Sequence, residues 1–485
     1  MINAPQRPYF FLLHDKLFDV DAKSGDLIPR LAEKRQWSAD GKTLTLTIRQ
    51  NAKFHDGKPI TAKDVIFSWS VGADLRTGTY YSSVFEKVVG YEDVKTGKTP
   101  LLSGMKAIDD KTVEVKLTAA DPLFLHTQAS QGVPLIWPSY LLENEPRDKF
   151  TQSAYWWQPV GAGPFKVTKY TKDQRLEVER FDDFWAGKPL LDKIVIEIIP
   201  DANARIAAYE KGEVDLIFSV AVADAVRLAK DPKTKTVGTW RGRADSLVVN
   251  HKSTVKGLGL PAVKQAMMYA IDRETLCKSL YGNGLGARPV YSNIMDSWAQ
   301  STKPNPYKYD PKKAKELLAE AKWDASQVVR ITASSSDRAA LGTAIQQYFA
   351  DVGIKATTRT IDSTTETALQ EKNELDLNFS AEGMSHIPES LYNYVACKLA
   401  PPAGLNNANY CNAKADAVWD QINANTDPAK RAGLFQQLDE IYREDPVWIP
   451  ILETAQQWVF SEKLNLTDAI VSWVGWCKAD KWGFR

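Results

Sequence analysis

The stretch TLTLTIRQ, residues 43–50, sets polar and apolar side chains in strict alternation, the period of a strand with one buried face. SADGK before it and HDGK after it are turn sequences, so a twisted meander is expected. Thr61 then stands ahead of the amphipathic run AKDVIFSWSVG and is predicted to cap a helix there. AIDDKTVEVKL (107–117) reads as a hairpin arm with an Asp-Asp-Lys turn. RLEVERF and KIVIEIIP follow as strands. NARIAAYEKGEVDLIF then gives a helix, a glycine-ended stop and a strand, the order of an α/β domain.

The second half repeats that order. LVVN (247–250) predicts a strand and PAVKQAMMYAIDRETLCKSLY one long helix, followed by a Pro/Tyr-rich connection over 288–311. Helix PKKAKELLAEAKW, strand VVRITAS, helix ALGTAIQQYFADVG and strand IKATTRTI alternate after it, which makes a second α/β domain. From 455 the chain returns to short aromatic strands, expected to pack on the first domain. Two stretches interrupt the regular pattern. YWWQPVGAGPF (155–165) places Gly161 and Gly163 where a backbone turns tightly or passes close to something. FSAEGMSHIPES (379–390), between the strand-like LDLNF and a tyrosine-rich run, reads as a turn lining a pocket, with Met384, Ser385 and His386 at its centre.

Composition narrows the class. A chain of 485 residues exceeds one simple core, so two or three domains are expected. With 44% hydrophobic and 25% charged residues and a net charge of +1, no bulk electrostatic case exists for nucleic acid or an anionic membrane. Apolar runs such as FFLL fall far short of the ~20 residues of a membrane span. The opening MINAPQRPYFFLL has no secretory-signal pattern, so a cytosolic protein, or a mature or trimmed chain with an added Met1, is expected. Four cysteines do not make a disulfide scaffold. Cys397 and Cys411 close the Pro/Gly/Asn-rich CKLAPPAGLNNANYC, which can fold back to a bridge or hold two unrelated thiols; Cys277 and Cys477 read as buried small residues. Fifteen tryptophans favour a ligand cleft slightly.

Catalytic and cofactor motifs fail on spacing. GKT occurs at 41–43 and 97–99, but Gln36 and Glu92 stand where a phosphate-binding loop needs glycine. GNGLG (282–286) lacks the dinucleotide spacing and follows a helix. Ser253 and Lys256 fit S-x-x-K, yet the KTG at 95–97 precedes them, and no G-x-S-x-G is present. The five histidines are scattered without metal-ligand spacing. No enzyme, metal or cofactor is expected.

Taken together, several stretches resemble one family. DLIPRLAEKRQWSADGKTLTLTIRQNAKFHDGKPITAKDVIFSW (26–69) is similar to the signature region of extracellular solute-binding protein family 5, the dipeptide, oligopeptide, nickel and opine receptors of ABC importers. The resemblance continues in VGAGPFKV (160–167), FDDFWAGKPLLDKIVIEIIPDANARIAAYEKGEVDL (181–216), SLVVNHK (246–252), VKQAMMYAIDRETL (263–276), YDPKKAKELLAEAKW (309–323) and the CKLAPPAGLNNANYC loop. It implies an α/β, two-lobed periplasmic-binding-protein (type II, Venus-flytrap) fold with an extra α+β subdomain in lobe I. The expected boundaries are lobe I at 1–15, the extra subdomain at 16–156, lobe I again at 157–245, lobe II at 246–455 and a return to lobe I at 456–485. Family members begin one strand earlier, so a trimmed N-terminus is expected. The resemblance further implies a periplasmic monomer that closes over a solute and delivers it to ABC permease subunits.

The ligand follows from which anchors the family pattern retains. In peptide receptors the turn aligned with EGMSHIP carries an aspartate for the peptide ammonium; Met384 stands there, with Ser385 and Glu382 as near alternatives. The dipeptide receptors' arginine for the carboxylate would fall near Thr332 and is absent, with Arg338 one helical turn later. An ammonium enclosed without a partner loses its hydration uncompensated, which argues against a plain dipeptide. His386 can donate to a ligand oxygen, and Glu382 can bond hydroxyls or pair with Arg338. Arg241 and Arg243, where the chain crosses between lobes, can clamp a carboxylate or phosphate. Asn250 is favoured as a polar contact, and Tyr80, Tyr81 and Trp298 are candidate stacking surfaces. The leading expectation is an opine-like or sugar-like anionic conjugate; an oligopeptide held by its backbone is the alternative, and a hydrolase of such a conjugate is the competing class.

Overall fold

The alternation at 43–48 does produce a strand. In the computed structural model Thr43–Ile48 buries Leu44, Leu46 and Ile48 completely. The structure describes residues 11–484 except 21–25, 79–81, 122–123, 132–134, 283–285, 296–297, 381–387, 402–403, 426, 467–469, 472–475 and 478. The chain divides into two units: Met1–Ile217 with Asp231–Lys235 and Val459–Arg485, and Phe218–Lys230 with Thr236–Trp458. The chain thus passes between the units near 218, 231, 236 and 459; the sequence reading set its lobe boundaries at 246 and 456.

In the first unit, a four-stranded antiparallel sheet has the order Ala32–Trp37, Thr43–Ile48, Thr112–Lys116, Met105–Ala107. The Asp-Asp-Lys turn closes the last pair, with the Lys111 amide donating to Asp109 at 2.7 Å. Helix Ala62–Ala73 packs Val65 and Trp69 into the same core. Thr61 precedes it, and buried Asp64 accepts from the Thr61 amide and hydroxyl and from the amide and hydroxyl of Ser139, all within 2.8 Å. That carboxylate fixes the helix start and also ties it to a distant segment. A three-stranded antiparallel sheet, Phe165–Thr171, Arg175–Arg180 and Lys193–Glu197, completes the regular strands of the central part.

The close approach expected at Gly161 and Gly163 is real, and the approaching group is the chain itself. A Cβ on Gly161 would lie 1.7 Å from the Leu13 carbonyl, and one on Gly163 2.5 Å from that of Leu12. The His55 ring bridges the two glycines: Nδ1 accepts from the Gly161 amide and Nε2 bonds the Gly163 carbonyl, both at 3.0 Å. Those bonds fix the tautomer with the proton on Nε2.

The second unit is built on a sheet that pairs Leu216–Val220, Trp448–Ser461, Thr234–Val249, Leu377–Ser380, Val328–Ala333 and Lys355–Thr360 in that order, with Ala287–Pro289 beside Trp448–Ser461. Its last three strands run parallel. The helix expected over 261–281 is two helices, Pro261–Ala270 and Arg273–Tyr281. Asp272 breaks the run because its carboxylate caps the second helix, accepting from the Thr275 amide at 3.0 Å. Arg273 then reaches back to the Met268 carbonyl at the end of the first helix, at 2.8 Å. Cys397 and Cys411 are bridged, and Cys277 is a free, buried thiol that burial pushes up to about 12.

Candidate solute-binding surface

Strand Val328–Ala333 leads into helix Ser336–Val352, where the Ser335 hydroxyl accepts from the Arg338 amide. Lys355–Thr360 leads into Ser363–Glu371, where the Asp362 carboxylate accepts from the Thr364 and Thr365 amides at 3.0 Å. Both strands therefore end at capped helix starts, and the carboxyl ends of parallel strands are where open α/β sheets bind ligands. The third strand, Leu377–Ser380, ends at the same side.

Register determines what lies there. Val248, Asn378, Thr332 and Arg359 form one line across four strands. The adjacent line, Val249, Leu377 and Ile331, belongs to the apolar core. The face carrying the first line is polar and nonetheless buried: Ser246 and Thr332 are 0% exposed, Asp376 1% and Asn378 3%. Strands buried on both faces usually read as continuous apolar runs, so these polar positions need partners.

Most have them. Arg330 grips Asp376 through Nε at 2.8 Å and Nη2 at 3.2 Å, and the Ser253 hydroxyl donates to the same carboxylate at 2.6 Å. Burial alone would raise the Asp376 pKa, but these bonds outweigh it and hold the carboxyl below its usual value. Asn378 donates to Glu366, on the helix over this face, at 3.2 Å. Arg338 Nε meets Asp245 at 3.0 Å, and Arg359 Nε donates to the Thr332 hydroxyl at 3.0 Å.

The residues expected to form the site fare differently. Asn250 follows strand Thr234–Val249 at the end opposite Ser380, where its amide accepts a bond from nothing but protein: Lys252 N and Asn409 Nδ2 donate to its oxygen, and its nitrogen donates to the Asn373 and Leu375 carbonyls. Both of its amide hydrogens are used within the protein, and strand Leu377–Ser380 separates it from the Ser380 end of the sheet. Its role is to fasten a loop. Trp298 meets Phe435 edge-on at 5.6 Å and is partly buried against the core around Trp419. Arg241 and Arg243 lie on strand Thr234–Val249 past Ser246, on the Ser380 side; their side chains fall outside the described residues. Met384, Ser385, His386, Glu382, Tyr80 and Tyr81 also fall outside them. Arg338, weighed as a partner for Glu382, is engaged by Asp245.

Arg359 and Thr332's role with it escaped the sequence reading. The signal was present: Arg330/Thr332, Thr357/Arg359 and Asp376/Asn378 place polar residues at every second position of three neighbouring strands.

The solved structures on which this chain superposes give the class: a two-lobed periplasmic-binding-protein fold of the Venus-flytrap kind. The solved structure of AppA from Clostridium difficile, named for peptide binding, superposes with a TM-score of 0.86 at 23% identity over 100% of this chain and 97% of that one. AgaA of A. tumefaciens R10, solved with agropinic acid, gives 0.73 at 24% identity over 100% and 95%. The bacterial extracellular solute-binding proteins, family 5 middle domain, match residues 26–398, and the chain belongs to that family. A Brucella ovis protein named as an ABC transporter peptide-binding protein is 29% identical over 465 residues, 93% of this chain and 83% of its own. The chain is thus a substrate-binding protein of an ABC transporter, a receptor and not an enzyme. No helix among the described residues is long and apolar enough to cross a membrane.

Proposed function

We propose that this receptor works as a monomer in the periplasm, capturing an anionic opine-like or sugar-like conjugate and passing it to its permease. One observation carries the reading. At the carboxyl ends of the parallel strands Asp245 is paired with Arg338, Asp362 is taken up in capping a helix and Glu366 accepts from the Asn378 amide, while Asp337 stands exposed. A peptide ammonium enclosed beside Asp245 would meet a carboxylate that Arg338 already neutralises, and would give up its hydration for little return. Hydroxyl, amide and guanidinium groups remain, and these suit oxygen-rich, negatively charged solutes. Met384, Ser385, His386, Glu382, Arg241, Arg243, Tyr80 and Tyr81 remain the proposed contacts from the adjoining segments.

The Brucella relative's name favours a second reading, a peptide held through its backbone. A thermal-shift panel separates them. A solute present at a hundred times its Kd should stabilise the protein by about 2.7 kcal/mol. Agropinic acid and related sugar-amino acid conjugates are expected to raise the melting temperature, and free dipeptides to leave it unchanged. A strong shift with dipeptides and none with conjugates reverses the assignment.

A further inference from the structure

Among the described residues, four arginines have a buried guanidinium nitrogen without a hydrogen-bond partner: Arg147, Arg359, Arg431 and Arg443. Three of these have an evident occupation. Arg431 pairs with Glu389, and Arg443 pairs with Asp439 at 2.7 Å. Arg147 lies over the Phe67 ring at 4.8 Å, in the first unit. Arg359 has neither a carboxylate nor a ring among the described residues, and only its Nε is used, on Thr332.

Its position makes that gap informative. Arg359 is the penultimate residue of an edge strand, at the end of the sheet where two helices start. The line Val248, Asn378, Thr332, Arg359 runs from the sheet's interior to this guanidinium. Asn378 donates to Glu366, and Thr332 is fully buried with its hydroxyl accepting from Arg359. A guanidinium does not lose its proton in a protein, so Nη2 keeps both its charge and its need for an acceptor. A short neutral hydroxyl orients the arginine without neutralising it.

We infer that Arg359 is the anion anchor of the solute: Thr332 holds the guanidinium in place and buried Nη2 donates to a carboxylate of the bound molecule. This rests on the anionic-conjugate reading and names the residue that selects for the anion. Thr332 is a positioning residue under the same inference.

The test compares wild type, R359Q and R359K by isothermal titration with carboxylate-bearing solutes, beginning with agropinic acid, each paired with its carboxamide. Wild type is expected to prefer the acid by about tenfold or more, the contribution of one charge-assisted bond. R359Q should remove most of that preference by weakening the acid far more than the amide, and R359K should retain part of it. Ligand-free R359Q should melt at or above the wild-type temperature, because a group kept for a ligand does not hold the fold together. Preference for the acid retained in R359Q overturns the anchor and leaves the solute class standing. A clear drop in the ligand-free melting temperature makes Arg359 structural and also overturns it. Failure of every acid to bind wild type removes the solute class, and the anchor falls with it.

Discussion

Arg273 shows how much one side chain can be asked to do without a counter-ion. It is 1% exposed, and its guanidinium donates to the Pro450 and Met268 carbonyls at 2.8 Å and to Ile271 at 3.2 Å. Its cation also lies 5.3 Å from the Tyr291 ring centre. Burial lowers its pKa to about 10, which still leaves it charged at neutral pH. The carbonyls it meets include those left open by the break between the two helices, so arginine serves as a C-terminal cap for Pro261–Ala270. R273A would strand three buried acceptors and open a cavity. It is expected to cost roughly 3–5 kcal/mol, seen as a lower urea midpoint for the second unit. A midpoint within experimental error of wild type would mean that the carbonyls find other donors.

At the scale of elements, the sequence was most legible where one face is apolar and the other wet. TLTLTI, the Asp-Asp-Lys hairpin and the alternating helices and strands after 309 appear where their periodicity puts them. The unbroken helix over 261–281 misled because Asp272 and Arg273 look like ordinary exposed helix residues until their side chains are seen to cap. The strand ending in LVVN begins as far back as Thr234, through WRGRADS, whose charges hide a strand from a hydrophobicity reading. The candidate surface was less legible still. Asn250 was chosen for its place at a strand end, but periodicity does not say which end of the sheet a strand presents. Only register against Leu377–Ser380 shows that Asn250 and Ser380 lie at opposite ends.

The loop between Cys397 and Cys411 has a testable energetic role. Asn406 is fully buried inside it, donating to the Ala396 and Tyr410 carbonyls at 3.0 and 2.8 Å and accepting from the Tyr410 amide. A bridge spanning a sequence separation of 14 should contribute about 3 kcal/mol by restricting the unfolded chain. Reductant is therefore expected to lower the melting temperature of wild type and leave that of a C397S/C411S double variant unchanged. Equal sensitivity of both proteins to reductant would assign the effect elsewhere.

At the scale of the whole molecule, both units carry histidines that fold in the neutral form. Burial is the largest cause in each case. It lowers the pKa of His14 to about 3 with help from His55, that of His55 to about 4, and that of His251 to about 4 with help from Lys264. The unfolded chain takes up these protons near pH 6.5 and the folded one does not. Their stability contribution is therefore complete above that pH and is lost progressively as pH falls towards 4. Each could account for up to roughly 3 kcal/mol across that window. The melting temperature is expected to fall steadily from pH 6.5 to 4, and less steeply in H55Q, whose side chain no longer titrates. A flat profile for wild type would show that the imidazoles become solvated before the units unfold.

The ring closed by Cys397 and Cys411 also encloses Asn407 and Asn409, which hold Gln370, Asn373 and Asn250. Those contacts steady the segment that leads into strand Leu377–Ser380. A batch made in a reducing cytoplasm would leave that hoop uncinched, and its affinities would report on thiol history as much as on chemistry. Comparing constants between laboratories thus calls for counting free sulfhydryls first.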